Sequence, residues 1–108
     1  MNILFIGDIV GRIGRKAVTK ALPKIKKEHK IDLVIANAEN AAHGSGITED
    51  TIKELQKAGI DFFTNGDHSF KRPTQAEKIY KNYPVIRPAN FPPNLPGKGY
   101  KVIEVDGK

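Results

Sequence analysis

Three residue pairs in this 108-residue chain join side chains that bind cations or move protons: Gly7-Asp8, Glu39-Asn40 and Asp67-His68. Each closes a short apolar run, Ile3-Leu4-Phe5-Ile6, Leu33-Val34-Ile35-Ala36 and Phe62-Phe63, and helix-like segments separate the runs. That alternation predicts βαβαβ, with parallel strands whose C-terminal ends share one edge of a sheet. Ligand sites of open α/β sheets form at that edge. Three carboxylates meeting there would repel and raise one another's pKa, so the arrangement asks for a cation. A carboxylate bridging two cations, flanked by Asp and Asn oxygens, is what two-metal phosphoryl transfer requires. Such metals sit ~3.5–4 Å apart, polarise the phosphate and lower the pKa of a bound water. A histidine beside them can protonate the departing alkoxide.

Taken singly, each pair has an ordinary reading. Asp8 suits a turn in which it bonds nearby backbone N–H groups, Glu39-Asn40 suits a loop cap, and His68 suits a satisfied loop histidine. Their shared position at strand ends favours the chemical reading. His29, at a lysine-rich helix end, reads as solvated. His43, in Ala42-His43-Gly44-Ser45-Gly46, reads as a loop residue or a substrate contact. Arg12 and Arg15, near the first helix N-terminus, could help hold a phosphate. Gly7, Gly11 and Gly14 do not form a dinucleotide fingerprint, and no phosphate-binding G-x-x-x-x-G-K-[ST] loop occurs.

The elements that must position these residues follow from pattern. Residues 2–7 read as the first strand, and their nearly continuous apolar character predicts cover on both faces. Arg12 to about Glu28 reads as helix from the spacing of Ile13, Ala17, Val18, Ala21, Leu22 and Ile25, with a kink or two abutting helices at Pro23. Asp32–Asn37 is the second strand. Thr48 is a good N-cap, Glu49 and Asp50 suit the first turn, and Gly59 suits a left-handed C-terminal cap. Asp61–Thr64 is a short third strand, and Pro73 opens a third helix. Pro84 ends the helical path and introduces Val85-Ile86. Residues 88–99 hold four of the seven prolines plus Gly97 and Gly99, a stiff irregular loop. Tyr100–Val105 alternates as a strand, and Asp106-Gly107 signals a hairpin turn.

A chain of this length is one domain at most, with 39% hydrophobic and 28% charged residues, in the range of folded soluble proteins. It has no cysteine, which excludes disulfides and thiolate metal sites and fits a reducing compartment. No apolar run reaches the ~20 residues of a membrane helix, and no secretory signal pattern opens the chain. A cytoplasmic location is expected. The net charge is +6, but the lysines spread over predicted helix faces, Lys16, Lys20, Lys24, Lys26 and Lys27 among them. A solvated surface and a nucleic-acid stripe are both readings of that pattern, the first the blander.

The motifs Gly7-Asp8-Ile9-Val10-Gly11, Asn37-Ala38-Glu39-Asn40-Ala41-Ala42, Asn65-Gly66-Asp67-His68 and Arg87-Pro88-Ala89-Asn90-Phe91-Pro92 resemble, in order and spacing, the YmdB-like branch of the calcineurin-like metallophosphoesterases. The resemblance runs over all 108 residues. It implies a β-sandwich flanked by helices and a dinuclear site, often iron, with manganese, magnesium or zinc as alternatives. It also implies hydrolysis of phosphodiesters such as cyclic nucleotides, with RNA a further substrate class. Position by position, it implies Asp8 and Asn40 as ligands of one metal, Glu39 as the bridge, Asp67 as a ligand of the second and His68 as the proton donor. Arg12, His43 and Asn90 become candidates for touching substrate. The family pattern has Asn where this chain has Asp67, which adds negative charge. Its histidine metal ligands come from a C-terminal half beyond the matched residues. The expectation is therefore an N-terminal portion, cut after the Asp106-Gly107 turn and self-associating through the open Tyr100–Val105 edge. The rival reading is a non-catalytic α/β module that binds a nucleotide or a protein and keeps a relic half-site.

Overall fold

Strands and helices alternate from Ile3 to Ile86 in the computed structural model, which describes residues 1–108. The order is β1 (Ile3–Ile6), α1 (Gly11–His29), β2 (Leu33–Asn37), α2 (Glu49–Ala58), β3 (Phe62–Thr64), α3 (Pro73–Asn82) and β4 (Val85–Ile86). All four strands pair in parallel, in the spatial order β1-β2-β3-β4. This is the expected α/β architecture, with β4 at Val85–Ile86, which is not among the predicted strands.

The helix ends follow local chemistry. Thr48 caps α2 in a reciprocal box, its hydroxyl accepting from Thr51 N–H at 3.2 Å while the Thr48 N–H donates to Thr51 Oγ1 at 3.0 Å. Gly59 closes α2 at φ 117°, a conformation that glycine adopts without a Cβ penalty. Pro73 opens α3 at its first turn. Helix α1 runs unbroken through Pro23, so the reading of two abutting helices falls. Pro23 lies on the exposed side, where water can satisfy the carbonyl left without an N–H donor.

The register separates two faces. Leu4, Ile6, Val34, Ala36, Phe63 and Val85 alternate onto one of them. Leu22 of α1, Ile52 and Leu55 of α2 and Ile79 of α3 join Val34, Ala36, Phe63 and Val85 in a single buried cluster. All three helices therefore cover the same face, as successive right-handed crossovers advancing in one direction require. The opposite face carries Ile3, Phe5, Leu33, Ile35, Phe62 and Ile86. Ile3 and Phe5 are 54% and 59% exposed there. The expected double cover of β1 thus fails: it is an edge strand with one bare face.

Residues 100–105 form no strand. The turn signal beside them does hold, with Asp106 and Gly107 at positive φ and Val105 and Lys108 exchanging backbone bonds of 2.9 and 3.0 Å. The turn therefore follows an unpaired segment and not the edge of a strand. That segment instead borders a cleft of about 740 Å³ with Phe62, Ile86, Val102 and Ile103 on its walls.

Candidate functional site

The C-terminal edge of the sheet gathers residues from three strand ends. Asp8 lies two residues past β1, Glu39 and Asn40 past β2, and His68 in the turn after β3. Backbone bonds lock the edge: Ile9 N–H donates to Asn37 O at 3.3 Å, and Ala38 N–H to Thr64 O at 2.9 Å. Gly11 N–H donates to Asn40 O at 2.9 Å, fixing the start of α1 against the loop that carries Glu39 and Asn40.

The side chains make one connected line. Asn40 Nδ2 donates to Asp8 Oδ2 at 2.9 Å, and Asn40 Oδ1 meets His68 Nδ1 in a short contact. His68 Nδ1 is 3.8 Å from Glu39 Oε2. That same carboxylate oxygen accepts the His68 backbone N–H at 3.1 Å, while Asn37 Nδ2 donates to Glu39 Oε1 at 3.4 Å. With its amide nitrogen turned to Asp8, Asn40 presents its carbonyl oxygen to His68. This favours the tautomer with a proton on Nδ1 and leaves Nε2 without a protein partner. Half-exposed, the ring can meet a substrate.

Gly66 is required for this packing. A Cβ there would stand 2.1 Å from Glu39 Oε1, so any side chain would displace the carboxylate. Sequence reasoning passed over Gly66 and Asn37, although both lie inside the quoted motifs. It also passed over a buried polar group behind the edge. Asn65 Nδ2 donates to the Tyr80 hydroxyl at 2.8 Å, and Ser69 Oγ bonds the Gly66 carbonyl. Burial pushes the Tyr80 phenol above its ordinary range, against the opposing pull of Ser69, Asn65 and the Arg87 charge. Arg87 is only 8% exposed, and its Nε and the Asn65 Oδ1 find no partner.

The remaining candidates stand apart. Asp67, Arg12 and Asn90 are exposed, and none of their side chains makes a hydrogen bond. His43 is exposed at φ 51° and lines a polar cleft of about 490 Å³ with Arg15, Glu49 and Glu54. Arg15 is committed elsewhere, bonding Glu54 Oε2 and the Ala41 carbonyl, both at 2.6 Å. It holds the loop after Asn40. No three His, Asp or Glu side chains stand close enough together to hold a metal ion by themselves.

The YmdB-like protein family model matches residues 4–108. The chain belongs to that family. A Bacillus subtilis relative named 2',3'-cyclic-nucleotide 2'-phosphodiesterase is 43% identical over 108 residues, which is 100% of this chain and 41% of the relative. A Thermus thermophilus crystal structure described as a hypothetical protein superposes at a TM-score of 0.92 with 41% identity, covering 99% of this chain and 41% of that one. A Mycoplasma pneumoniae structure described as a novel phosphatase gives 0.88 with 31% identity, covering 94% of this chain and 38% of that one. The chain spans about two-fifths of the length of the curated relatives it matches.

The donor set of this YmdB-like chain suits one hard cation in chemistry. Asp8, Glu39 and Asn40 supply oxygens at one edge, and a single imidazole stands beside them. A second ion would need donors that these residues do not bring together. No helix is long and apolar enough to cross a membrane.

Proposed function

We propose that this chain carries one half of a metal-dependent phosphodiesterase centre acting on phosphodiesters such as 2',3'-cyclic nucleotides. The observation that supports the reading most is the line Asp8–Asn40–His68–Glu39, assembled from three strand ends at one sheet edge. Asp8, Glu39 and Asn40 would hold the metal, which when bound would polarise the phosphate and acidify a water. Were a second ion bound, Glu39 would be the residue shared between the two and Asp67, exposed in the same turn as His68, would be the candidate to hold it. Iron is the first candidate, with manganese, magnesium or zinc as alternatives. The cysteine-free sequence agrees with a cytoplasmic setting.

His68 is the proton donor of this reading. Asn40, steadied by Asp8, accepts the Nδ1 proton and aims Nε2 outward. A protonated imidazole so held can give its Nε2 proton to the departing alkoxide. The rival reading, a nucleotide- or protein-binding module with a relic half-site, draws on the lack of three clustered metal-binding side chains.

Turnover separates the two. The chain, joined to the C-terminal part of the Bacillus subtilis relative, is assayed on bis(nitrophenyl) phosphate and on a cyclic nucleotide with and without EDTA. Hydrolysis abolished by EDTA and by Glu39→Ala is the expected result. His68→Ala should lower turnover of the poor leaving group by about 10²–10⁴-fold and spare the nitrophenolate. Metal-independent nucleotide binding without hydrolysis would establish the rival.

A further inference from the structure

The net positive charge of this protein comes almost wholly from one helix and the lysine that caps it. Eight of the 18 Lys and Arg residues but only one of the 12 Asp and Glu residues lie between positions 11 and 30, so that segment carries a formal +7 and the rest of the chain −1. Arg15 is bound to Glu54, and Lys26 reaches the Gly59 carbonyl at 3.4 Å. Lys16, Lys20, Lys24 and Lys27 are all exposed. At 100° per residue they fall within an arc of about 80° and extend over about 16 Å of the helix. Of the four, only Lys24 has an ion-pair partner, Glu28 at 3.7 Å. A row of like charges this close opposes itself unless an anion lies along it.

The row has a direction. Helix α1 begins at Gly11, whose N–H bonds the Asn40 carbonyl, three residues after Asp8. The lysines therefore lead away from the candidate centre, starting beside it. We propose that the outer face of α1 is a seat for single-stranded nucleic acid, with Lys16, Lys20, Lys24 and Lys27 on successive phosphates. Resting on the phosphodiesterase reading, the seat directs the end of the strand to the Asp8–Asn40–His68–Glu39 line. The substrate class is then an oligonucleotide with a phosphodiester at its terminus. No Phe, Tyr or Trp lies on α1, so recognition is electrostatic and indifferent to sequence. A membrane surface fits less well, because the apolar side of α1 faces α2 and the core, and its outer face offers only Ile13, Ala17, Ala21 and Pro23 beside the lysines.

Fluorescence anisotropy of a labelled single-stranded RNA of about twelve nucleotides tests the seat on the 108-residue chain. EDTA is present, so binding is read separately from turnover, and hydrolysis of bis(nitrophenyl) phosphate tests the phosphodiesterase reading by itself. Each phosphate neutralised contributes about −0.7 to the slope of log affinity against log salt, so the expected slope is roughly −2 to −3. The triple variant Lys16→Gln, Lys20→Gln, Lys27→Gln should bind at least ~10-fold more weakly at 50 mM salt and lose about 2 units of slope. A variant with Lys78→Gln, Lys81→Gln and Lys101→Gln matches its net charge and should stay within about twofold of the parent, because those lysines lie off the row. Far-UV circular dichroism checks that both variants fold. Equal losses in the two variants, or no RNA binding by the parent, would overturn the proposal. So would binding to phosphatidylglycerol vesicles in the absence of RNA binding, which would make the row a membrane contact.

Discussion

The two faces of the four-stranded sheet are built from the same residue types and differ in their surroundings, most of all at β1. Val34, Ala36 and Phe63 are fully buried beneath three helices, whereas Ile3 and Phe5, on the other face, are more than half exposed. Apolar runs in parallel strands are expected where helices cover both faces. Here helices cover one face only, yet on the other the inner strands still bury Leu33 and Phe62 and just β1 is left bare. Strand composition thus records what a face can pack against, while the direction of the crossovers decides which face receives the helices.

The covered face should yield the largest effect. Phe63 is fully buried in the cluster shared by all three helices. Phe63→Ala should cost about 3–5 kcal/mol, from lost transfer energy plus a cavity that rigid neighbours cannot fill. That is a large part of the 5–15 kcal/mol typical of a whole domain, so urea titration should find the variant largely unfolded at 37 °C. A cost below about 1 kcal/mol would mean that the helices do not define the core.

Tyr80 probes the same face at its margin. Removing its hydroxyl leaves the Asn65 amide without its acceptor, and Tyr80→Phe should cost roughly 1–3 kcal/mol at neutral pH. Burial holds the folded phenol pKa above the ordinary 10.0. Above about pH 10 the unfolded chain therefore releases this proton first, and stability falls as pH rises through the folded value. Below pH 10 the contribution is fully present. Denaturant titrations across that window should show the fall in the parent and a shallower one in Tyr80→Phe.

The Thr48 cap comes next, and its loss by Thr48→Ala should cost about 1 kcal/mol, read from the urea midpoint. Thr48, Gly59 and Pro73 were legible in the sequence because capping is local chemistry. So were the strands, from their apolar runs, and the gathering of Asp8, Glu39, Asn40 and His68, from their positions at strand ends. What escaped was tertiary. A two-residue β4 has no period of its own and exists because β3 offers it an edge. The alternation of Tyr100–Val105 is a strand pattern, but no strand lies beside it to complete a ladder. Arg87 reads as a surface cation, and only the loop folding back over it, with Arg87 N–H bonded to the Lys98 carbonyl at 2.9 Å, buries it. Asp67 shares its turn with His68, yet its side chain faces solvent.

The smallest effect on stability should come from the bare face, and there it separates two quantities that core mutations merge. Ile3→Ser with Phe5→Ser removes apolar surface that is already in water, so the folded monomer should change by no more than about 0.5 kcal/mol. Association should respond differently. β1 is an edge strand with unpaired backbone groups, and its exposed side chains lie in a row with Ile35 and Phe62 on the same face. An apolar face beside an open edge is where a second chain would add. Sedimentation velocity should show the parent self-associating with rising concentration and the double variant remaining monomeric over the same range. If the parent stays monomeric throughout, the bare face is tolerated by water alone. If the double variant unfolds like Phe63→Ala, the two faces carry equal weight and the distinction between them fails.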